Sequence, residues 1–127
     1  MTKYVVVMLG GAIGAGSRLL LGTAVSRLHS SLFPYGTFLI NVSGSFLIGL
    51  LMMFFLHRPV LSVNWRLFLV TGILGGFTTF SSFEWETLSA WRSGSGVIAL
   101  LNVFLSVGLG FLGVWAGAMI SDRLWPR

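Results

Sequence analysis

Four long apolar stretches, each ended by a short polar cluster, set the pattern of this chain. The first is free of charge from Tyr4 to Ser17, meets Arg18, and resumes to about Val25. A loop, Ser30-Ser31-Leu32-Phe33-Pro34-Tyr35, separates it from the second, Gly36 to Leu56, which stops at His57-Arg58-Pro59. Proline there disfavours helix in itself and in the residue before it. The third is charge-free from Leu67 to Phe83 and carries Glu84 and Glu86 before Leu88-Ser89-Ala90-Trp91. Arg92-Ser93-Gly94-Ser95-Gly96 forms the next loop. Val97 to Ile120 then runs without a charge to Ser121-Asp122-Arg123, with Trp125 as an interface anchor. A crossing takes about 20 predominantly apolar residues. The pattern therefore predicts four transmembrane helices, the first of them in spite of Arg18.

Composition agrees. Of 127 residues, 55% are hydrophobic and 9% charged, against about a quarter charged in soluble domains. So few charges could not cover the surface of a soluble fold of this size. The expectation is an all-α integral membrane protein with one domain over 1–127. Cysteine is absent, which excludes a disulfide scaffold. The net charge of +5 would suggest nucleic acid if it were clustered, but the eight basic residues are strung out singly, as juxtamembrane anchors are. Lys3 before an apolar run imitates a signal peptide, yet three further spans follow and no soluble remainder. Gly10, Gly14 and Gly16 imitate a dinucleotide-binding loop, but no acidic residue follows at the required distance and no strand–helix alternation appears.

Topology follows from the basic residues. With four spans, Lys3, Arg58, Arg66, Arg123 and Arg127 share one side and Arg27 and Arg92 the other. The bias favours cytoplasmic termini only modestly, leaving room for insertion in either orientation. Enzyme chemistry is missing. His29 and His57 fall in different loops without metal-ligand spacing and are expected to be solvated, and Glu84 and Glu86 fall on different helix faces. No nucleophile–base arrangement or phosphate loop is present.

Small and polar residues are arranged along faces. Asn102, Ser106, Gly110, Gly113 and Gly117 lie within about 80° of arc at helical spacing. Thr37, Asn41, Ser45 and Gly49 follow an i, i+4 line, and Gly10 and Gly14 form a GxxxG step leading to Arg18. For the glycines this means close helix packing. For Asn41 two readings stand: an interhelical hydrogen bond, or a polar lining to a path. The third span is the most informative. In Thr71-Gly72-Ile73-Leu74-Gly75-Gly76-Phe77-Thr78-Thr79-Phe80-Ser81-Ser82-Phe83 a Gly-Gly pair followed by successive β-branched and hydroxyl residues is poor helix material at mid-membrane. A break there frees carbonyls that an ion, water or protein must satisfy, and discontinuous helices often house ion sites. A hydroxyl-rich kink is the plainer reading. Phe80 and Phe83, one turn apart and flanked by Thr79, Ser81 and Ser82, offer positive ring edges and hydroxyl donors, which suit a dehydrating anion. Arg18 and Glu86 are costly at membrane depth, so they are expected near span ends, facing water, or paired. One four-helix subunit is too thin to enclose a conduit, and self-association, including an antiparallel pair, would cover the polar faces.

Gly75-Gly76-Phe77-Thr78-Thr79-Phe80-Ser81-Ser82-Phe83 with Glu86 beyond it closely resembles the third-helix signature of the Fluc fluoride channels. Gly36-Thr37-Phe38-Leu39-Ile40-Asn41 and the Gly-rich first span ending at Arg18 are similar to the same family, and the likeness covers the whole chain. It implies a dual-topology antiparallel homodimer in the inner membrane that lets fluoride leave the cytoplasm passively through two pores, each lined by both subunits, with the third helix broken at mid-membrane. By this resemblance Asn41 is the pore amide and Phe80 and Phe83 the aromatic pair whose edges meet fluoride. Ser81 and Ser82 form a hydroxyl track, with Thr79 contributing. Gly75 and Thr78 match positions whose carbonyls hold a structural Na⁺ at the dimer axis, Arg18 matches a vestibule arginine, and Glu86 a glutamate near the pore mouth. Asn102 and Ser106 stand where relatives often bear Tyr or His, with Ser106 a pore candidate, and Glu84 stands where serine is common. A heterodimer with an oppositely oriented subunit also fits. The competing expectation is a small proton-coupled multidrug or cation exporter using Glu86, and a third is a non-transporting assembly subunit.

Overall fold

The computed structural model describes residues 2–29, 31–58 and 63–126. Ser30 of the first expected loop, Pro59 of the second, and Arg127 of the charge asymmetry lie outside them. All regular structure among the described residues is helical. Helix α1 spans Thr2–Leu28 and passes through Arg18 without interruption; α2 spans Tyr35–His57. The third span opens with α3 (Val63–Arg66), widens into a π-helical stretch over Leu67–Leu74, and tightens again into α4 (Gly75–Phe77). Helix α5 (Phe80–Arg92) continues it and α6 (Gly96–Leu124) completes the chain. Four helical segments, residues 2–28, 35–57, 63–92 and 96–124, are long and apolar enough to cross a membrane. At 1.5 Å per residue each exceeds the roughly 30 Å hydrocarbon core.

Local signals explain the ends. The chain leaves α5 through a Schellman turn: Ser95 N–H donates to the Ala90 carbonyl and Gly94 N–H to that of Trp91. Gly94 sits at φ +82°, the left-handed region where an L side chain is strained. Within the third span the glycine pair stays helical, and the departure comes at the hydroxyl residues that follow it. Thr78 (φ −75°, ψ 155°) and Thr79 (φ −150°, ψ 120°) are extended. Gly76 serves proximity instead, since a Cβ there would stand 2.6 Å from the Gly11 carbonyl oxygen.

The helices meet backbone to backbone. Gly49 packs on the Val114 backbone and Gly117 on the Phe46 carbonyl, which brings α2 and α6 together as the main seam. On the other side α1 lies along the π-helical stretch. A Cβ on Gly72 would come within 2.9 Å of the Gly10 Cα, and one on Gly14 would collide with the Ile73 carbonyl. The expected glycine packing is therefore present on the first, second and fourth spans, and Gly72 and Gly76 of the third share in it. The large side chains point outward: Leu19, Leu20, Phe104 and Phe111 are exposed. Water would not support such a surface, and lipid or another apolar partner does.

One expectation is corrected at the α2 terminus. His57 is not a solvated loop residue: its side chain is 3% exposed and its Nε2 lies 3.2 Å from Asp122 Oδ1. Its Nδ1 lies 2.7 Å from the Trp125 carbonyl oxygen. These two contacts tie the end of α2 to the end of α6.

Candidate functional site

The extended pair Thr78–Thr79 creates a supply of unpaired backbone groups, because N–H(i) to O(i−4) pairing fails across it. In a continuous helix Thr79 N–H would bond the Gly75 carbonyl. Here it donates to Asn41 Oδ1 at 2.8 Å, while Asn41 Nδ2 donates to the Thr79 carbonyl at 2.9 Å. The amide therefore clasps both backbone groups of a single residue, and its orientation is fixed by that pairing. Ser82 N–H, which would have bonded the Thr78 carbonyl, is capped by Thr79 Oγ1 at 3.3 Å. The Thr78 carbonyl instead accepts from an Arg18 guanidinium nitrogen at 3.3 Å. Thr78 is pinned backwards, its N–H and hydroxyl both donating to the Leu74 carbonyl at 2.9 Å.

Two cavities meet at this crossing. One of 320 Å³ is lined by Asn41, Ser45, Gly75, Thr78, Phe80, Phe83 and Ser106 among others. The other, of 640 Å³, holds Arg18, Thr37, Ser82 and Glu86. Thr79 lines both, so its clasp with Asn41 forms the wall between them. In the smaller cavity Phe80 and Phe83 pack at a centroid distance of 5.6 Å and an interplanar angle of 38°. Phe83 is buried, whereas Phe80 is 69% exposed. Ser106 donates to Asn102 Oδ1 at 3.2 Å, and Asn102 donates to Thr87 Oγ1 at 2.8 Å. In the larger cavity Thr79 Oγ1 donates to Ser82 Oγ at 3.1 Å, leaving the Ser82 proton free for the cavity.

Glu86 accepts from Thr37 Oγ1 at 2.8 Å, and its second carboxylate oxygen is buried without a partner. Arg18 and Glu86 share the cavity without forming an ion pair within 4.0 Å. The structure thus gathers Asn41, Thr78, Thr79, Phe80, Phe83 and Gly75 around one crossing, with Arg18, Ser82 and Glu86 on its far side and Ser106 on its near side. Ser81 is exposed and lines neither cavity. Thr37 and Thr87 were not singled out as site residues. Thr37 stands on the same line as Asn41, which was the available signal, whereas a lone hydroxyl such as Thr87 carried none.

Against known families, residues 5–118 match the model described as "CrcB-like protein, Camphor Resistance (CrcB)". The chain belongs to the CrcB family. This CrcB chain is 50% identical over 121 residues to the "Fluoride-specific ion channel FluC" of Solibacter usitatus, covering 95% of this chain and 99% of that one. It is 43% identical over 124 residues to the protein of the same name from Sulfurihydrogenibium sp. (98% and 100% covered), and 45% over 122 residues to that of Acidobacterium capsulatum (96% and 98%). These CrcB relatives bear the name of an ion channel and not of an enzyme, in keeping with a chain in which the sequence showed no catalytic arrangement.

Proposed function

We propose that this chain is a fluoride-selective channel, acting as an antiparallel, dual-topology homodimer in the inner membrane, with its single domain over 1–127. It lowers intracellular fluoride by letting the anion leave down its gradient through two pores built from both subunits. The Thr78–Thr79 crossing is the mid-membrane break of the third helix. The full-length relatives named for fluoride support this reading, and the Asn41–Thr79 clasp is the observation that carries it. Fluoride is small and strongly hydrated, so a path must replace its water with donors already in place. Because Asn41 Oδ1 is occupied by Thr79 N–H, the amide cannot flip, and its second Nδ2 hydrogen stays turned outward as a donor. The ring edges of Phe80 and Phe83 add positive quadrupole beside it. Ser82, relayed from Thr79, supplies a free hydroxyl on the far side, and Arg18 draws anions into the larger cavity. Ser106 joins from the near side once its proton leaves Asn102, and Ser81 completes the track only against a second subunit.

A structural Na⁺ suits the same crossing. The carbonyls of Gly75 and Thr78 are among those that lose their helical donors, to Asn41 and to the Thr79 hydroxyl respectively, and that of Thr78 takes Arg18 as a donor in this subunit. Backbone carbonyl oxygen freed at a helix interruption is a hard donor that suits such a cation. When bound, the cation supplies a positive charge that offsets carbonyl repulsion and favours an anion nearby.

Purified protein in liposomes tests the reading with a fluoride-selective electrode. The expected result is fluoride efflux without a pH gradient and none of chloride. The exporter alternative draws on the unpartnered oxygen of Glu86. It predicts cation–proton exchange that Glu86→Gln abolishes, whereas for a channel that change alters rate only. Absence of either flux would leave a non-transporting subunit.

A further inference from the structure

A second cavity-bearing face lies at the other end of the helices, away from the Asn41–Thr79 crossing and independent of fluoride. It is a groove of 530 Å³ between the end of α2, the start of the third span, and α6. Met52, Met53, Val114 and Ala118 form an apolar floor, and Arg58 and Arg66 stand at its rim. No acidic residue lines it. Asp122, the acid at this end, is engaged with His57. Among the described residues neither arginine forms an ion pair, and both are exposed.

The depth is set by the neighbours. Arg58 directly follows α2, and Arg66 sits one turn into the third span beside exposed Trp65, with Trp125 at the end of α6. Tryptophan and basic residues at span ends mark the headgroup layer. Two uncompensated guanidiniums above an apolar groove at that depth complement one kind of molecule: a phosphate diester carrying acyl chains. We infer that this groove binds an anionic glycerophospholipid, its phosphate held by Arg58 and Arg66 and a chain lying over Val114 and Ala118.

Native mass spectrometry of the purified protein, titrated with dioleoylphosphatidylglycerol against dioleoylphosphatidylcholine, tests this. The wild type should retain the anionic lipid preferentially, and Arg58→Gln and Arg66→Gln should each lower retention about fivefold. Ala118→Phe, which fills the floor and keeps both charges, should lower it too. Arg92→Gln, at the opposite end, should not. Equal retention of the two lipids by the wild type, unchanged retention in the Arg58→Gln/Arg66→Gln double variant, or an equal loss in Arg92→Gln would overturn the assignment. A fall in oligomeric mass of the double variant with lipid retention unchanged would assign the groove to a second copy of the chain instead. The single Arg→Gln changes lie at exposed span ends, so the comparison survives if the double variant or Ala118→Phe fails to fold.

Discussion

The α2–α6 seam and the Thr78–Thr79 crossing solve opposite problems. Along the seam both helices are unbroken, every interior backbone group is satisfied within its own helix, and a side chain at the contact only sets a spacing. Glycine is then sufficient, and Gly49 and Gly117 let Val114 and Phe46 backbones come into contact. At the crossing the helix stops, and the freed groups must find partners of a defined reach and polarity. Asn41, Arg18 and the Thr79 hydroxyl supply them. Small residues close a membrane fold; polar side chains are needed where its backbone is left open.

That contrast makes steric and polar changes fail differently. The largest effect is expected from Gly14→Val, which drives a branched side chain into the Ile73 carbonyl. About 3 kcal/mol or more should be lost, read as a collapse of the monodisperse peak and of the thermal melt. Asn41→Ala comes next, since it strands both backbone groups of Thr79 at about 1–3 kcal/mol each. Asn41→Asp keeps an acceptor for Thr79 N–H but removes both amide donors and sets a carboxylate oxygen against the Thr79 carbonyl. It should pass no fluoride, and wild-type flux from it would remove Asn41 from the path.

The aromatic pair divides by burial. Phe80→Ile should leave the melt within about 0.5 kcal/mol of wild type and cut fluoride flux about tenfold through the lost ring edge. Phe83→Ile should do the same and cost a further 1–2 kcal/mol, roughly, because that ring is buried. The smallest change is Gly108→Ala. Nothing lies within 4 Å of a Cβ there, so helix propensity alone should raise stability by about 0.5–1 kcal/mol. A destabilisation would show that a second subunit covers that face.

Much of this was legible in the residues. The span limits agree with the charge-free stretches to within a few positions at most ends, and the glycine lines fall on the contacts they suggested. Within the weak stretch of the third span the extended residues are the threonines and not the glycine pair, because a glycine pair signals both a weak helix and a close approach, and here the approach to Gly11 prevailed. His57 was read as solvent-facing because its partners, Asp122 and the Trp125 carbonyl, are far along the chain. For Asn41 the two readings merged: the same amide makes an interhelical bond and lines a cavity.

Crossing number, helix limits and packing faces follow from one dimension, because transfer into lipid is close to additive over consecutive residues and helical periodicity maps position onto face. Which polar group meets which could not be had that way. Hydrogen bonds are short and directional, and those that define the crossing join residues 38 and 60 positions apart, Asn41 to Thr79 and Arg18 to Thr78. Only the packed helices bring such pairs within reach, and only then does a run of threonines become a wall between two cavities.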